Sequence, residues 1–133
     1  MKKALENRED IERLVRAFYQ KMLADPELGP LFLRVAQISL TEHLPPVYDF
    51  WESALFQTGS YRHNLMDIHL AFHQKHRLEK AHFDRWLELF TQTVDELFTG
   101  ERAQGAKQRA RTIATIIQLK IDHLEKQRLE FGN

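Results

Sequence analysis

The sequence contains no cysteine, and this absence excludes disulfides, thiolate metal sites, cysteine-ligated clusters and cysteine nucleophiles. It also lacks any apolar run near the roughly 20 residues that a membrane helix requires. The charges balance, with 19 Lys and Arg against 19 Asp and Glu, so no net field attracts nucleic acid or an anionic membrane. We therefore expect a single domain over 1–133, with its core at about 8–125, in a soluble and cytoplasmic protein without nucleic-acid or membrane partners.

Glycine and proline are also scarce, at five and four of 133 residues, and most of the chain shows helical periodicity. In the first helix Asn7 is a suitable N-cap and Asp25-Pro26 ends the element. Its apolar face carries Ile11, Leu14, Val15, Phe18, Met22 and Leu23. The next segment, LGPLFLRV, is short and proline-bounded, so it predicts a turn or a single helical turn.

Four further helices are predicted. One begins near Ser39, which forms a capping box with Glu42, and contains Pro45-Pro46 near its start. A short helix spans 65–73. A long helix, 83–98, ends at Gly100, and the short Thr99-Gly100 joint makes it an antiparallel neighbour of the last helix, 103–124. No strand pattern competes, so the fold class is all-α.

Histidine is concentrated between residues 61 and 86, in YRHNLMDIHLAFHQKHRLEKAHFDRW, which holds five of the seven histidines. His69, His73 and His76 lie at i, i+4 and i+7, a face that could hold zinc on a continuous helix. The polar residues around His73 and His76 favour a solvated role. His69 has apolar neighbours, and a buried imidazole requires a hydrogen bond or a metal. A structural histidine and a metal ligand both remain open for it.

Two aromatic residues with polar tips also stand out. Tyr19 falls roughly 80° from Ile11 on a helical wheel, at the shoulder of the apolar arc. Its hydroxyl can therefore reach a cavity or water. Trp86 lies on the apolar stripe of its helix and carries one indole donor, so packing alone predicts a core residue.

Four blocks of the chain resemble the truncated haemoglobins, specifically their third group. They are FYQKMLADPELGPLF at 18–32, EHLPPVYDFWE at 42–52, YRHNLMDIH at 61–69 and HFDRWLELFTQTVDELFTG at 82–100. The match runs from about Ile11 to Ile121 and keeps the family's order and spacing. It departs from the family pattern at Leu40, where a tryptophan is usual, and at 63–65, where Gly-Asn-Pro is usual. The resemblance implies a truncated globin fold, a two-over-two helical sandwich around a haem.

Carried over by position, the resemblance implies that His69 is the proximal iron ligand. It makes Tyr19 and Trp86 distal donors, and His43 a third donor, a sixth ligand or a gate, of which we favour the gate because Pro45-Pro46 weaken the backbone there. Residues expected along the haem are Phe32, Val47, Phe50, Trp51, Tyr61, Met66, Ile68, Phe90 and Ile117. Arg62, His63 and Lys75 are candidates for propionate contacts.

The implied cofactor is haem b, and the implied ligands are oxygen, nitric oxide and carbon monoxide at a five-coordinate iron. Turnover of nitric oxide or peroxide, as a nitric oxide dioxygenase or a peroxidase, would require a reductase or another reductant. A haem-free helical module, with His69, His73 and His76 binding zinc or having a structural role, is the alternative.

Overall fold

The computed structural model describes the backbone of residues 2–35, 40–56 and 79–130 and, within these ranges, the side chains of 2–31, 44–56 and 79–127. These ranges are mostly helical, as the sequence predicts. The helices are α1 (Arg8–Ala24), α2 (Leu28–Val35), α3 (Leu40–Phe56), α4 (Lys80–Leu97) and α5 (Glu101–Glu130). Two short strands, β1 (Lys3–Ala4) and β2 (Phe98–Thr99), pair in parallel.

Helix α1 has the ends that the sequence predicts. The Asn7 side chain accepts a hydrogen bond from the amide of Asp10 at 2.9 Å and so satisfies one of the free first-turn donors. Asp25, in extended conformation, caps the other end. The buried side of α1 carries Ile11, Leu14, Val15, Phe18 and Met22.

The prediction of a turn after α1 is wrong, because LGPLFLRV forms the eight-residue helix α2. Asp25 provides the reason. Its Oδ2 accepts from the amides of Glu27 at 3.0 Å and Leu28 at 2.9 Å, which caps the new helix immediately after the old one ends. Pro30 then falls in the first turn, where a missing amide proton costs nothing.

Asp25 also joins this corner to α4. Its side chain is 1% exposed and accepts from Arg85 Nε at 2.7 Å, with Nη2 at 2.6 Å from the same oxygen. Burial by itself would raise the pKa of Asp25, but the hydrogen bonds from Arg85, Leu28 and Glu27 outweigh it and hold that pKa below its ordinary value. One carboxylate therefore connects α1, α2 and α4.

Helix α3 contains Pro45 and Pro46 in its interior. Neither proline has an amide proton, so the helix loses two backbone hydrogen bonds in its first half. The second half is held to α1, because Arg8 Nη1 donates to Asp49 at 2.7 Å and lies 3.3 Å from Glu52. The predicted Ser39 cap lies outside the described residues.

Helices α4 and α5 run antiparallel, as the short joint predicts. Lys107 contacts Asp95 at 2.7 Å near the joint, while Phe83 at the start of α4 packs on Ile117 and Ile121, late in α5. Gly100 turns the chain with a φ of 98°, which favours glycine. The start of α4 is capped by His82, whose Nδ1 accepts from the amide of Glu79 at 2.9 Å.

The expectation of no strand is wrong at one place. Lys3 and Ala4 pair with Phe98 and Thr99, the extended residues between α4 and α5. Asp10 holds β1 and the residues after it against α1, because its carboxylate accepts hydrogen bonds from the Lys3 ammonium at 2.9 Å and from the amide of Glu6. Two-residue strands are too short to produce a period-two pattern in the sequence.

The main core forms where α1, α3, α4 and α5 meet, and a smaller cluster lies between α4 and the later part of α5. Trp86 packs against both clusters. No helix within the described ranges is long and apolar enough to cross a membrane.

We expect Asp25→Asn to lower the free energy of unfolding at pH 7 by on the order of 1 kcal/mol, because the charge-assisted bonds weaken while Arg85 stays partly solvated. Since the pKa of Asp25 is lowered in the folded state, its contribution is present above the ordinary aspartate pKa of about 4 and is lost as pH falls. Urea unfolding at pH 7 and at lower pH measures both effects.

Asp84→Asn is the matched control, since Asp84 is exposed and pairs only with Lys80 among the described residues. An equal effect of the two substitutions, or a difference from wild type that does not shrink at low pH, would contradict the role given to Asp25.

Candidate functional site

An aromatic cluster fills the space between α1, α3 and α4, and Phe18 is its centre. Phe18 meets three rings edge to face: Tyr19 at 5.7 Å, Trp86 at 5.6 Å and Phe90 at 5.3 Å between centroids. This is a favoured geometry for aromatic pairs. Phe18 and Phe90 are buried, at 3% and 1% exposure, whereas Tyr19 and Trp86 are only half-buried. The two rings with polar tips therefore lie at the edge of the cluster.

Stacked rings extend this cluster from α4 to α3. Trp86 stacks on Phe90 with 8° between the ring planes and 5.7 Å between centroids. Phe90 in turn stacks on Trp51 with 17° between the planes and 4.9 Å between centroids. Phe50 then meets Trp51 at 5.2 Å. Trp86 and Phe90 lie one helical turn apart, which brings both rings to the same face of α4.

Tyr19 has an electrostatic environment that keeps its hydroxyl protonated. Burial, and next the neighbouring Tyr48, raise the pKa of Tyr19 far above the ordinary tyrosine value. A phenol that does not ionise remains available as a hydrogen-bond donor throughout the physiological pH range.

Sequence reasoning missed Tyr48. Its ring is 9% exposed, belongs to the main core and has the Arg8 guanidinium 5.6 Å from its centroid. The available signal was its spacing, because Tyr48 lies four residues after Leu44 and three before Trp51, on the same stripe of α3. Its hydroxyl makes it a polar neighbour of Tyr19.

The other described residues expected along the haem lie near this cluster. Val47 packs against the main core from the side, and Phe50 reaches it through Trp51. Ile117 is buried in the smaller cluster with Phe83 and is linked to the main one by Trp86. Of the expected site residues, ring contacts join Tyr19, Phe50, Trp51, Trp86 and Phe90 into one cluster, whereas Val47 packs on the main core and Ile117 lies in the smaller cluster.

The remaining expected site residues lie outside the described side chains. These are Phe32, His43, Tyr61, Met66, Ile68 and His69, together with the candidate propionate contacts Arg62, His63 and Lys75. The alternative zinc-binding face also lies outside the described side chains, since it consists of His69, His73 and His76. Among the side chains that the structure describes, no group of three His, Asp or Glu could hold a metal ion.

Comparison with known proteins supports the resemblance seen in the sequence. No family model matches the chain. A group 3 truncated hemoglobin, ctb, from Campylobacter jejuni is 29% identical over 115 residues, which cover 84% of this chain and 88% of that protein. The crystal structure of a group III truncated hemoglobin from Campylobacter jejuni superposes with a TM-score of 0.79 at 29% identity, over 90% of this chain and 94% of the other.

The chain is similar to group 3 truncated haemoglobins over most of its length. A second solved structure, the 2/2 hemoglobin from Synechococcus sp. PCC 7002 in the cyanomet state with covalently attached heme, has a TM-score of 0.66 at 22% identity. It covers 86% of each chain and supports the fold alone. The predicted all-α truncated globin fold is confirmed.

The protonation of Tyr19 can be measured by tyrosinate absorbance. Because the pKa of Tyr19 is raised, we expect the folded wild type and Tyr19→Phe to give equal absorbance changes up to about pH 11, which is above the ordinary tyrosine pKa of about 10. In denaturant, the wild type should gain the signal of one further tyrosine. If the folded variant already lacks one tyrosine equivalent near pH 10, Tyr19 is not shielded as described.

Proposed function

We propose that this protein binds haem b and reversibly binds oxygen and similar diatomic ligands at its iron. The observation that carries the proposal is the pairing of Tyr19 and Trp86, two donors held at the half-buried edge of one aromatic cluster. The similarity to truncated hemoglobins over most of the chain supports it.

The described residues fit one side of a haem pocket. The buried rings of Phe18, Trp51 and Phe90 pack behind the half-buried Tyr19 and Trp86, and these two would line one side of a pocket for a planar apolar group. His69 would ligate the iron through a neutral imidazole, and its position in the resembling block 61–69 supports this role. Haem bound there supplies an iron with an open coordination position for a diatomic ligand.

Tyr19 and Trp86 would act on that ligand from the distal side. Oxygen carries partial negative charge when it binds ferrous iron, so the Tyr19 hydroxyl and the Trp86 indole N–H are suitable donors. A hydrogen bond with a net value of about 1 kcal/mol tightens binding roughly fivefold. Carbon monoxide is less polar and should gain less from the same donors.

His43 would control entry to the pocket as a gate. The support lies in the backbone of α3, where Pro45 and Pro46 remove two hydrogen bonds just after His43, while Arg8 holds the second half of the helix to α1. The first half of α3 is therefore the part of this helix with fewer constraints on its movement.

The same pocket would support nitric oxide or peroxide turnover if a reductant supplies electrons. A reductase is the partner that such turnover implies. The distal donors serve each of these reactions in the same way, since all of them begin with a small polar ligand in the pocket.

Reconstitution with hemin tests haem binding directly. We expect a Soret band that His69→Ala loses, because removal of the imidazole removes the proximal ligand. His73→Ala is the matched control, four residues away in the same histidine-rich stretch, and should keep the band. Absence of a Soret band in the wild type, or equal loss in both variants, would contradict the proposal.

The gate is tested by carbon monoxide association to the ferrous protein after flash photolysis. We expect His43→Ala to associate faster than wild type, because the shortened side chain leaves the entrance open. The gate fails if the two association rates are equal.

A further inference from the structure

Both tryptophans of the chain belong to one row of aromatic rings. The row begins at Trp86, passes through Phe90 and reaches Trp51, with near-parallel stacking at both steps. Phe50 continues the row at 5.2 Å from Trp51 and is itself half-buried. The row therefore starts at the edge of the candidate pocket on α4 and ends near the surface of α3.

Tryptophan and tyrosine are the aromatic side chains that most readily give up one electron. Phenylalanine is not oxidised under the same conditions, but a stacked ring couples two neighbouring donors electronically. Phe90 occupies this bridging position between Trp86 and Trp51. The chain has no cysteine, so no thiol competes with these rings as a site of oxidation.

The interior of the row is dry, while its two ends are accessible. Phe90 is 1% exposed and Trp51 is 5% exposed. Trp86 is half-buried where the pocket begins, and the half-buried Phe50 covers the other end. An electron can thus tunnel between the two indoles across the single buried ring of Phe90.

We propose that Trp51, Phe90 and Trp86 form an electron relay that delivers electrons from a phenolic reductant at the α3 surface to hydrogen peroxide in the pocket. The proposal rests on the proposed haem binding. In each pass Trp86 loses one electron that goes to reduce hydrogen peroxide, Trp51 returns an electron to Trp86 across Phe90, and the phenol returns an electron to Trp51.

Two passes complete the reaction. Two phenols lose one electron and one proton each and become phenoxyl radicals. Hydrogen peroxide takes up the two electrons and two protons, its O–O bond breaks, and two waters form. No further oxidant or reductant is needed.

A role in packing and a role in electron transfer require different properties of the Trp51 side chain. A packed core needs apolar volume at this position, which phenylalanine largely supplies, whereas a relay needs a ring that can be oxidised. Trp51→Phe therefore separates the two roles, because it keeps an aromatic ring next to Phe90 and Phe50 and removes the oxidisable indole.

The test is freeze-quench electron paramagnetic resonance of the hemin-reconstituted protein after one equivalent of hydrogen peroxide. Protein labelled with ring-deuterated tryptophan identifies tryptophan radicals by the narrowing of their signal. With a phenol such as guaiacol present, we expect the tryptophan radical to decay quickly in wild type and to persist in Trp51→Phe, where nothing refills Trp86, together with slower oxidation of the phenol.

Phe90→Leu interrupts the stacking between Trp86 and Trp51 and should also slow the decay of the tryptophan radical. Phe98→Leu is its matched control, since Phe98 is equally buried, at 2% exposure, but lies outside the row at the end of α4. The Soret band reports whether each variant still binds hemin.

The outcomes separate the two proposals. A wild type without a Soret band overturns both the haem binding and the relay. A normal Soret band with the same radical decay and phenol oxidation in Trp51→Phe as in wild type, or equal behaviour of Phe90→Leu and Phe98→Leu, overturns the relay alone.

Discussion

The contact of Phe18 with three other rings is the constraint on which the candidate site depends. Phe18 lies on α1 beside Tyr19, and its contacts with Trp86 and Phe90 fix α1 against α4. Phe90 then carries the packing to Trp51 on α3. Three helices thus meet in one dry aromatic cluster, and the two residues with polar tips lie at its edge. The positions of Tyr19 and Trp86 follow from this packing, because each ring contacts Phe18 directly.

Charged groups hold the same three helices from outside the cluster. Asp25 joins the end of α1, the start of α2 and Arg85 on α4, the residue just before Trp86. Arg8 joins the start of α1 to Asp49 on α3 and lies over the ring of Tyr48. Both contacts join elements far apart in sequence, so they hold α1 against α4 and α3. Polar contacts at the ends and aromatic contacts in the middle together fix the positions of Tyr19 and Trp86.

Much of this arrangement could be predicted from local sequence signals, and the wrong predictions have separate physical causes. Asn7 and Asp25 mark the ends of α1 because capping acts within a few residues. The same Asp25 was not recognised as the cap of α2, so a short helix was predicted to be a turn. The β1–β2 pair depends on a contact between Lys3–Ala4 and Phe98–Thr99, and such long-range pairing leaves no local pattern. The effect of Tyr48 on Tyr19 could not be predicted from its spacing in α3, because only the fold shows that the two tyrosines are neighbours.

The central claim is that Tyr19 and Trp86 act on one ligand in one pocket. The most direct test is a double-mutant cycle on oxygen dissociation from the hemin-reconstituted ferrous protein, with Tyr19→Phe, Trp86→Phe and the double variant. Because two donors to the same small ligand share a partner, we predict a coupling free energy above about 0.5 kcal/mol, the usual limit of additivity for independent sites. Additive effects, or dissociation rates that neither substitution changes, would contradict the account.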